Sequence, residues 1–258
     1  MRNALILSLT LLVCASASRA EIAHRAVAYQ HDGVELAGYL AWDDAIDGPR
    51  PAVLIIHQWW GLGEYEKRRA RELAELGYAA FALDMYGRGK LTDSAEQASA
   101  WATPFYNQRD TGRSRAAAGL EAMLDQPESD ADRVAAIGYC FGGSMVIELA
   151  FSGADVAGVV SFHGNPQKPM EGDLDRTAAE ILVCHGSDDP LAPLDEVVAF
   201  TDALGDAVAW TLAVYGDAQH SFTEADAGRH GIDGVAYQAR AEDRSWRHMR
   251  AFFDALWE

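Results

Sequence analysis

Five consecutive apolar residues, Ala52-Val53-Leu54-Ile55-Ile56, sit between Pro51 and His57. A run this short, apolar at every position, fits a β-strand covered on both faces, and such strands belong to parallel sheets. The rest of the chain repeats the theme. Strands are predicted over 34–42, 51–57, 78–84, 133–138, 156–162, 181–185 and 207–215. Helical spacing fills the intervals. It predicts helices over 64–76, with Ala70, Leu73 and Ala74 on one face and Gly77 at the C-terminal cap, over 92–125 with a break at Pro104, and over 141–151. Another is opened by Pro193 and carries Leu194, Val197, Val198, Thr201 and Leu204 on its face, and the last covers 235–257. Strands alternating with helices imply a mostly parallel central sheet with helices on both faces and right-handed crossovers. Ligands of such sheets bind outside the carboxyl ends of the strands, so the residues that follow each strand are the ones to inspect.

The segment before the first predicted strand is of another kind. Arg2 precedes an apolar run from Ala4 to Val13, and small residues follow up to Ser18-Arg19-Ala20. This charge, apolar core and small-residue sequence predicts a secretory signal peptide over 1–20, cleaved after Ala20 or, as an alternative, after Ala17. The protein is then expected outside the cytoplasm, periplasmic or secreted, with no stable membrane anchor. A single domain over 21–258 remains, as a monomer or small homo-oligomer. The formal net charge of −18 repels phosphates, which excludes nucleic acid and anionic membrane surfaces as partners. Of three cysteines, Cys14 leaves with the signal; Cys140 and Cys184 lie in different strand contexts and are expected to stay unpaired.

The chemistry concentrates after three strands. The strand ending at Ile137 runs into Gly138-Tyr139-Cys140-Phe141-Gly142-Gly143, and a helix follows. This is the strand–turn–helix setting of a nucleophile elbow with cysteine as its centre. Gly138 and Gly142 give the strained turn room. Cys140 lies at a helix N-terminus, where the dipole favours a thiolate, and the Phe141 N–H is placed to meet an oxyanion. Downstream, His185-Gly186-Ser187-Asp188-Asp189-Pro190 and Gln219-His220-Ser221-Phe222 each follow a strand. Nucleophile, acid and histidine thus come in the order of α/β-hydrolases: Cys140 to attack, His220 to move the proton, Asp189 to orient the histidine.

At these residues the chain resembles the dienelactone hydrolase family. The likeness runs through His57-Gln58-Trp59-Trp60-Gly61-Leu62, Asp84-Met85-Tyr86-Gly87-Arg88-Gly89, the Cys140 segment, Ser161-Phe162-His163-Gly164, the Asp189 segment and His220-Ser221-Phe222. The resemblance implies an α/β-hydrolase fold without a large cap domain and a Cys140–Asp189–His220 triad. It also implies the Trp59 N–H as second oxyanion donor beside Phe141, and cleavage of a small ester or lactone without a cofactor. Two positions depart from the family. Gln58 stands where a glutamate is usual, so activation of Cys140 falls on His220 and the helix N-terminus. Thr223-Glu224 stands where an arginine would hold a substrate carboxylate, leaving Arg88 as the other cation of that pair.

Gln58, Tyr86, Arg88, His163 and Phe222 are expected around the substrate, with packing as the alternative role for His163. Trp59 and Trp60 are expected as pocket walls, or Trp60 as ordinary core. His57, His163, His185 and His220 all follow strands but lack tight metal-ligand spacing, so no metal is expected; His57 is assigned to the oxyanion loop and His185 to support of the Asp189 turn. Arg68, Arg69 and Arg71 read as a solvated helix face. A general carboxylesterase or thioesterase, and a non-catalytic binding protein on a hydrolase scaffold, stay open beside the ester or lactone hydrolase.

Overall fold

The computed structural model describes residues 22–258; the signal segment expected over 1–20 lies outside them. Eight strands form one sheet in the order β1-β2-β4-β3-β5-β6-β7-β8. They are β1 (Ile22–His31), β2 (Val34–Asp43), β3 (Arg50–Ile56), β4 (Ala79–Leu83), β5 (Ser129–Tyr139), β6 (Gly158–Phe162), β7 (Glu180–Gly186) and β8 (Trp210–Tyr215). From β4 through β8 the pairing is parallel; β1–β2 and β2–β4 are antiparallel. The helices are α1 (Glu64–Ala74), α2 (Ala95–Asn107), α3 (Arg109–Leu124), α4 (Phe141–Phe151), a short α5 (Asp173–Arg176), α6 (Leu194–Leu204) and α7 (Ala239–Leu256). Residues of β3 divide their side chains between two buried clusters, Leu54 and Ile56 in one, Val53 and Ile55 in the other. Covering both faces is what the continuous apolar run required.

The structure differs from the sequence expectation at identifiable places. The strand β1 was not anticipated. Its burial alternates residue by residue, and it joins β2 through Asp32 and Gly33, both in the left-handed region (φ 49° and 72°). That is a two-residue hairpin turn, for which Asp-Gly is a strong signal. The 92–125 helix does break, but at Gln108 (φ −120°, ψ 73°) rather than at Pro104, which lies inside α2. On α6 the buried face is Val197, Phe200, Thr201 and Leu204, and Val198 is exposed. The last helix starts at Ala239 instead of 235, because the preceding segment is held against the end of β8: the His220 N–H donates to Gly234 O and the Ala236 N–H to His220 O.

The chain leaves β3 for β4 on one side and returns to β5 on the other, so the sheet changes direction between β3 and β5. A crevice opens at such a point, outside the carboxyl ends of the strands. His57, Cys140, His163 and His220 follow β3, β5, β6 and β8, and Asp189 lies in the turn after β7. Among the described residues no helix is long and apolar enough to cross a membrane.

Candidate active site

Cys140 joins β5 to α4 with φ 55° and ψ −115°, a conformation L-residues rarely adopt. Holding a side chain there costs on the order of 1–3 kcal/mol, which the surrounding packing must offset. Its glycines are dictated by contact. A Cβ on Gly138 would lie 2.0 Å from Gly142 O, and one on Gly142 would lie 2.1 Å from Ile56 O. The same closeness brings the start of α4 against the end of β3, and so the Phe141 turn beside the loop that carries Trp59. The Cys140 N–H is already engaged, by Phe162 O at 3.0 Å and His163 Nδ1 at 3.2 Å. The Phe141 N–H, in the first turn of α4, has no acceptor within its helix.

Asp189 is buried, and each carboxylate oxygen has work. Oδ1 accepts the N–H groups of Leu191 (2.9 Å) and Ala192 (3.0 Å), while Oδ2 lies 2.8 Å from His220 Nδ1. With Nδ1–H donating to that oxygen, Nε2 is the free nitrogen of His220. Burial lowers the pKa of His220, but the charge of Cys140 and hydrogen bonding to Asp189 and Cys140 outweigh it and push the value up to about 10. Asp189 and the sulfur together thus favour the protonated imidazole.

His163 has a different office. It is fully buried with φ 41°, and its Nδ1 accepts the Cys140 N–H, so Nε2 carries the proton and donates to Thr223 Oγ1 at 2.8 Å. Burial, with His220 and His185 nearby, holds its pKa well below the ordinary value and keeps it neutral. It braces the elbow from behind and does not line the cavity. His57 braces the neighbouring loop in the same manner: Nε2 accepts the Met85 N–H at 3.1 Å and Nδ1–H donates to Gln58 O. His185 is fully buried, with neither ring nitrogen hydrogen-bonded.

Two glutamates stand around Gln58: Glu66, which the sequence did not point to, and Glu224, noted from sequence only as replacing a substrate-binding arginine. Glu66, in the first turn of α1, is buried; Oε1 accepts the Gln58 N–H (3.1 Å) and Oε2 the Gly63 N–H (3.0 Å). Burial pushes its carboxyl up to about 7, and Glu224 adds to the rise. Glu224 Oε2 accepts the Gln58 side-chain Nε2–H at 2.9 Å. The signal of Glu66 was faint, since a charged residue on an amphipathic helix ordinarily faces water. For the same reason Arg69 was misread as solvated. It is buried and donates to Thr223 O (2.8 Å) and Glu242 Oε1 (2.7 Å).

Cys140 and His220 open into a cavity of about 320 Å³ whose walls include Trp59, Trp60, Tyr106, Leu191, Glu224 and Val235. Trp60 stacks on His230 with ring centroids 3.9 Å apart. The five residues expected around the substrate stand elsewhere. Gln58 lines the adjoining groove, and His163 lies behind the elbow. Tyr86 is buried under the loop that carries Trp59, its hydroxyl donating to Trp59 O at 3.2 Å. Phe222 is in the core against His163 and Tyr215. Arg88 is exposed, and its backbone N–H donates to Glu35 O. Cys140 and Cys184 are both free thiols; Cys184 is buried and its thiol is pushed up to about 12. Among the described residues no group of three or more His, Cys, Asp or Glu is disposed to hold a metal ion.

The sequence profile of the dienelactone hydrolase family matches residues 36–257. Among solved structures, a dienelactone hydrolase-like promiscuous phosphotriesterase from metagenomic libraries is 42% identical. It superposes with a TM-score of 0.88, covering 91% of this chain and 98% of that one. Two curated relatives are more distant. A protein of Saccharolobus solfataricus named "Putative carboxymethylenebutenolidase" is 23% identical over 87% of this chain and 95% of its own length. Protein usf of Aquifex pyrophilus is 27% identical over 88% and 96%.

Proposed function

The chain belongs to the dienelactone hydrolase family and is a carboxylic-ester hydrolase, and from that premise we propose that it cleaves small esters or lactones through a thioester on Cys140. The observation that carries this reading is the arrangement at the strand ends. A strained cysteine elbow opens into the same cavity as a histidine whose other nitrogen is 2.8 Å from a buried carboxylate.

The cycle follows from these groups. The Cys140 thiolate attacks the carbonyl carbon, and the oxygen, now negative, is received by the N–H groups of Phe141 and Trp59. The His220 imidazolium gives its Nε2 proton to the leaving alkoxide as the C–O bond breaks, and the acyl group stays on sulfur. Neutral His220 then takes a proton from water. The resulting hydroxide attacks the thioester, and collapse of the second tetrahedral species expels the thiolate and releases the acid. Asp189 stabilises the cation in both halves without taking its proton. His163, by occupying the Cys140 N–H from behind, leaves the front of the elbow to Phe141.

The test is hydrolysis of p-nitrophenyl acetate and a simple neutral lactone. Cys140→Ala is expected to lose at least about a thousandfold in kcat/KM while keeping its Tm, and Cys184→Ala to retain activity. Near-parental turnover by Cys140→Ala would refute the mechanism. A second substrate class has specific support in the phosphotriesterase relative at 42% identity. An uncharged phosphate triester brings no anion to meet Glu224, and Cys140 is the expected nucleophile there too. Release of p-nitrophenol from a dialkyl p-nitrophenyl phosphate, lost in Cys140→Ala, is the corresponding measurement.

A further inference from the structure

The cavity that serves Cys140 carries its own electrostatic character. Beyond the Cys140–His220 pair, Glu224 is its one carboxylate, and among the described residues no lysine or arginine lines it. Glu224 is buried and held in place by the Gln58 amide at 2.9 Å, a neutral partner that fixes the carboxylate without cancelling its charge. Arg229 approaches the other oxygen at 3.6 Å, but from the adjoining groove and with its side chain 46% exposed. The same walls carry the aromatic rings of Trp59, Trp60 and Tyr106, and the His230 imidazole stacked on Trp60. Aromatic rings attract ammonium groups, most strongly where water is excluded, and a fixed carboxylate does so more strongly still. The net charge of −18 adds a long-range field that draws cations in and turns anions away.

We propose that this cavity is a subsite for a cationic group, and that the enzyme selects esters and thioesters bearing an ammonium or alkylated ammonium, with Glu224 as the specificity-determining residue. The proposal rests on the reading of Cys140 as the nucleophile of this cavity, and it names the substrate class which that reading leaves open. The Gln58–Glu224 pair is its structural basis. An amide at 58 gives the carboxylate at 224 a hydrogen-bond donor, where a second carboxylate would set like charge against it.

Two measurements keep the subsite and the hydrolase reading separable. The first needs no turnover. Methanethiosulfonate reagents carrying a trimethylammonium-ethyl, a neutral or a sulfonato-ethyl group are used to label Cys140, with rates normalised to those for a free small thiol; Cys184, buried, does not compete. The cationic reagent is expected to react at least about tenfold faster than the neutral one, and the anionic reagent slower. In Glu224→Gln the spread should shrink toward the free-thiol ratio. The second compares kcat/KM for acetylthiocholine with that for 3,3-dimethylbutyl thioacetate, which differ in replacing the charged nitrogen by carbon. A preference of about tenfold for the cation is expected, falling toward one in Glu224→Gln. Cation-preferring labelling without hydrolysis of either thioester would keep the subsite and sink the hydrolase reading. Hydrolysis of both with no cation preference in wild-type protein, or a preference that Glu224→Gln leaves intact, would overturn the subsite.

Discussion

At position 58 an amide stands between two carboxylates, giving its backbone N–H to Glu66 and its side-chain N–H to Glu224. Position 58 was legible in the sequence as a departure from the family glutamate. Its neighbours were not, because Glu224 lies 166 residues away along the chain and only the fold brings them together. Gln58→Glu removes a donor and sets a second carboxylate against Glu224. One of the two must then hold a proton in the folded state, so its folded pKa lies above the unfolded value of roughly 4.3. A group raised in this way contributes stability below its unfolded pKa and loses it as pH rises through the folded one. The variant should therefore lie close to the parent in unfolding free energy near pH 5 and fall behind as pH rises to 8, by about 1–3 kcal/mol, with a matching loss of Tm. A Tm gap independent of pH would contradict this account of Gln58. Reading Cys140, Asp189 and His220 from sequence was easier, since Cys140 directly follows β5 and the other two lie in the short turns after β7 and β8.

Among the elements, the loop between β3 and α1 and the first turn of that helix form one device. Glu66 accepts two N–H groups of the loop that presents Trp59, and it does so fully only as a carboxylate. With its carboxyl pushed up to about 7, chiefly by burial and further by Glu224, it takes a proton as pH falls through that value. One oxygen then becomes a hydroxyl and releases an N–H, and the loop loosens. The tyrosines around it, Tyr65, Tyr86 and Tyr139, are all raised and stay neutral. His220 at about 10 and the neutral His163 do not titrate in this window. We expect kcat/KM for a neutral ester to decline as pH drops through about 7. Glu66→Gln should flatten that limb and lower kcat at pH 8 by about tenfold, with KM changed little, since a displaced oxyanion donor acts on the transition state. A pH limb unchanged in Glu66→Gln would rule the device out. Helix positions were readable from periodicity, and α1 begins at the expected Glu64. What periodicity does not reveal is which charged residues turn inward to serve distant loops, as Glu66 and Arg69 do. Missing β1 has another cause: its alternation is half-buried and polar, and it stands outside the apolar runs that mark the parallel strands.

For the whole molecule, the parallel order from β4 to β8 and the crevice beside β3 and β5 place every strand-end residue of the candidate site at one rim. That architecture was legible because both-face burial forces apolar runs, and the rim follows from it. Of the cavity walls, Trp59 and Trp60 were legible, but Tyr106, Leu191 and Val235 were not, since they come from helix and loop segments with no strand-end signature. We propose export with cleavage after Ala20. The first strand starts at Ile22, so that cut would spare the whole sheet, and N-terminal sequencing of protein from its native host should begin near Glu21. Finding Met1 or Arg2 there would refute export by cleavage. The central claim is that the acyl group passes through Cys140, and rapid-quench mass spectrometry during hydrolysis of p-nitrophenyl acetate tests it directly. The account predicts a protein heavier by one acetyl group within the first turnover, the label mapping to the peptide that contains Cys140 and discharging with the steady-state rate. Acetylation at another residue, or full turnover in a protein that never carries acetyl on Cys140, would contradict it.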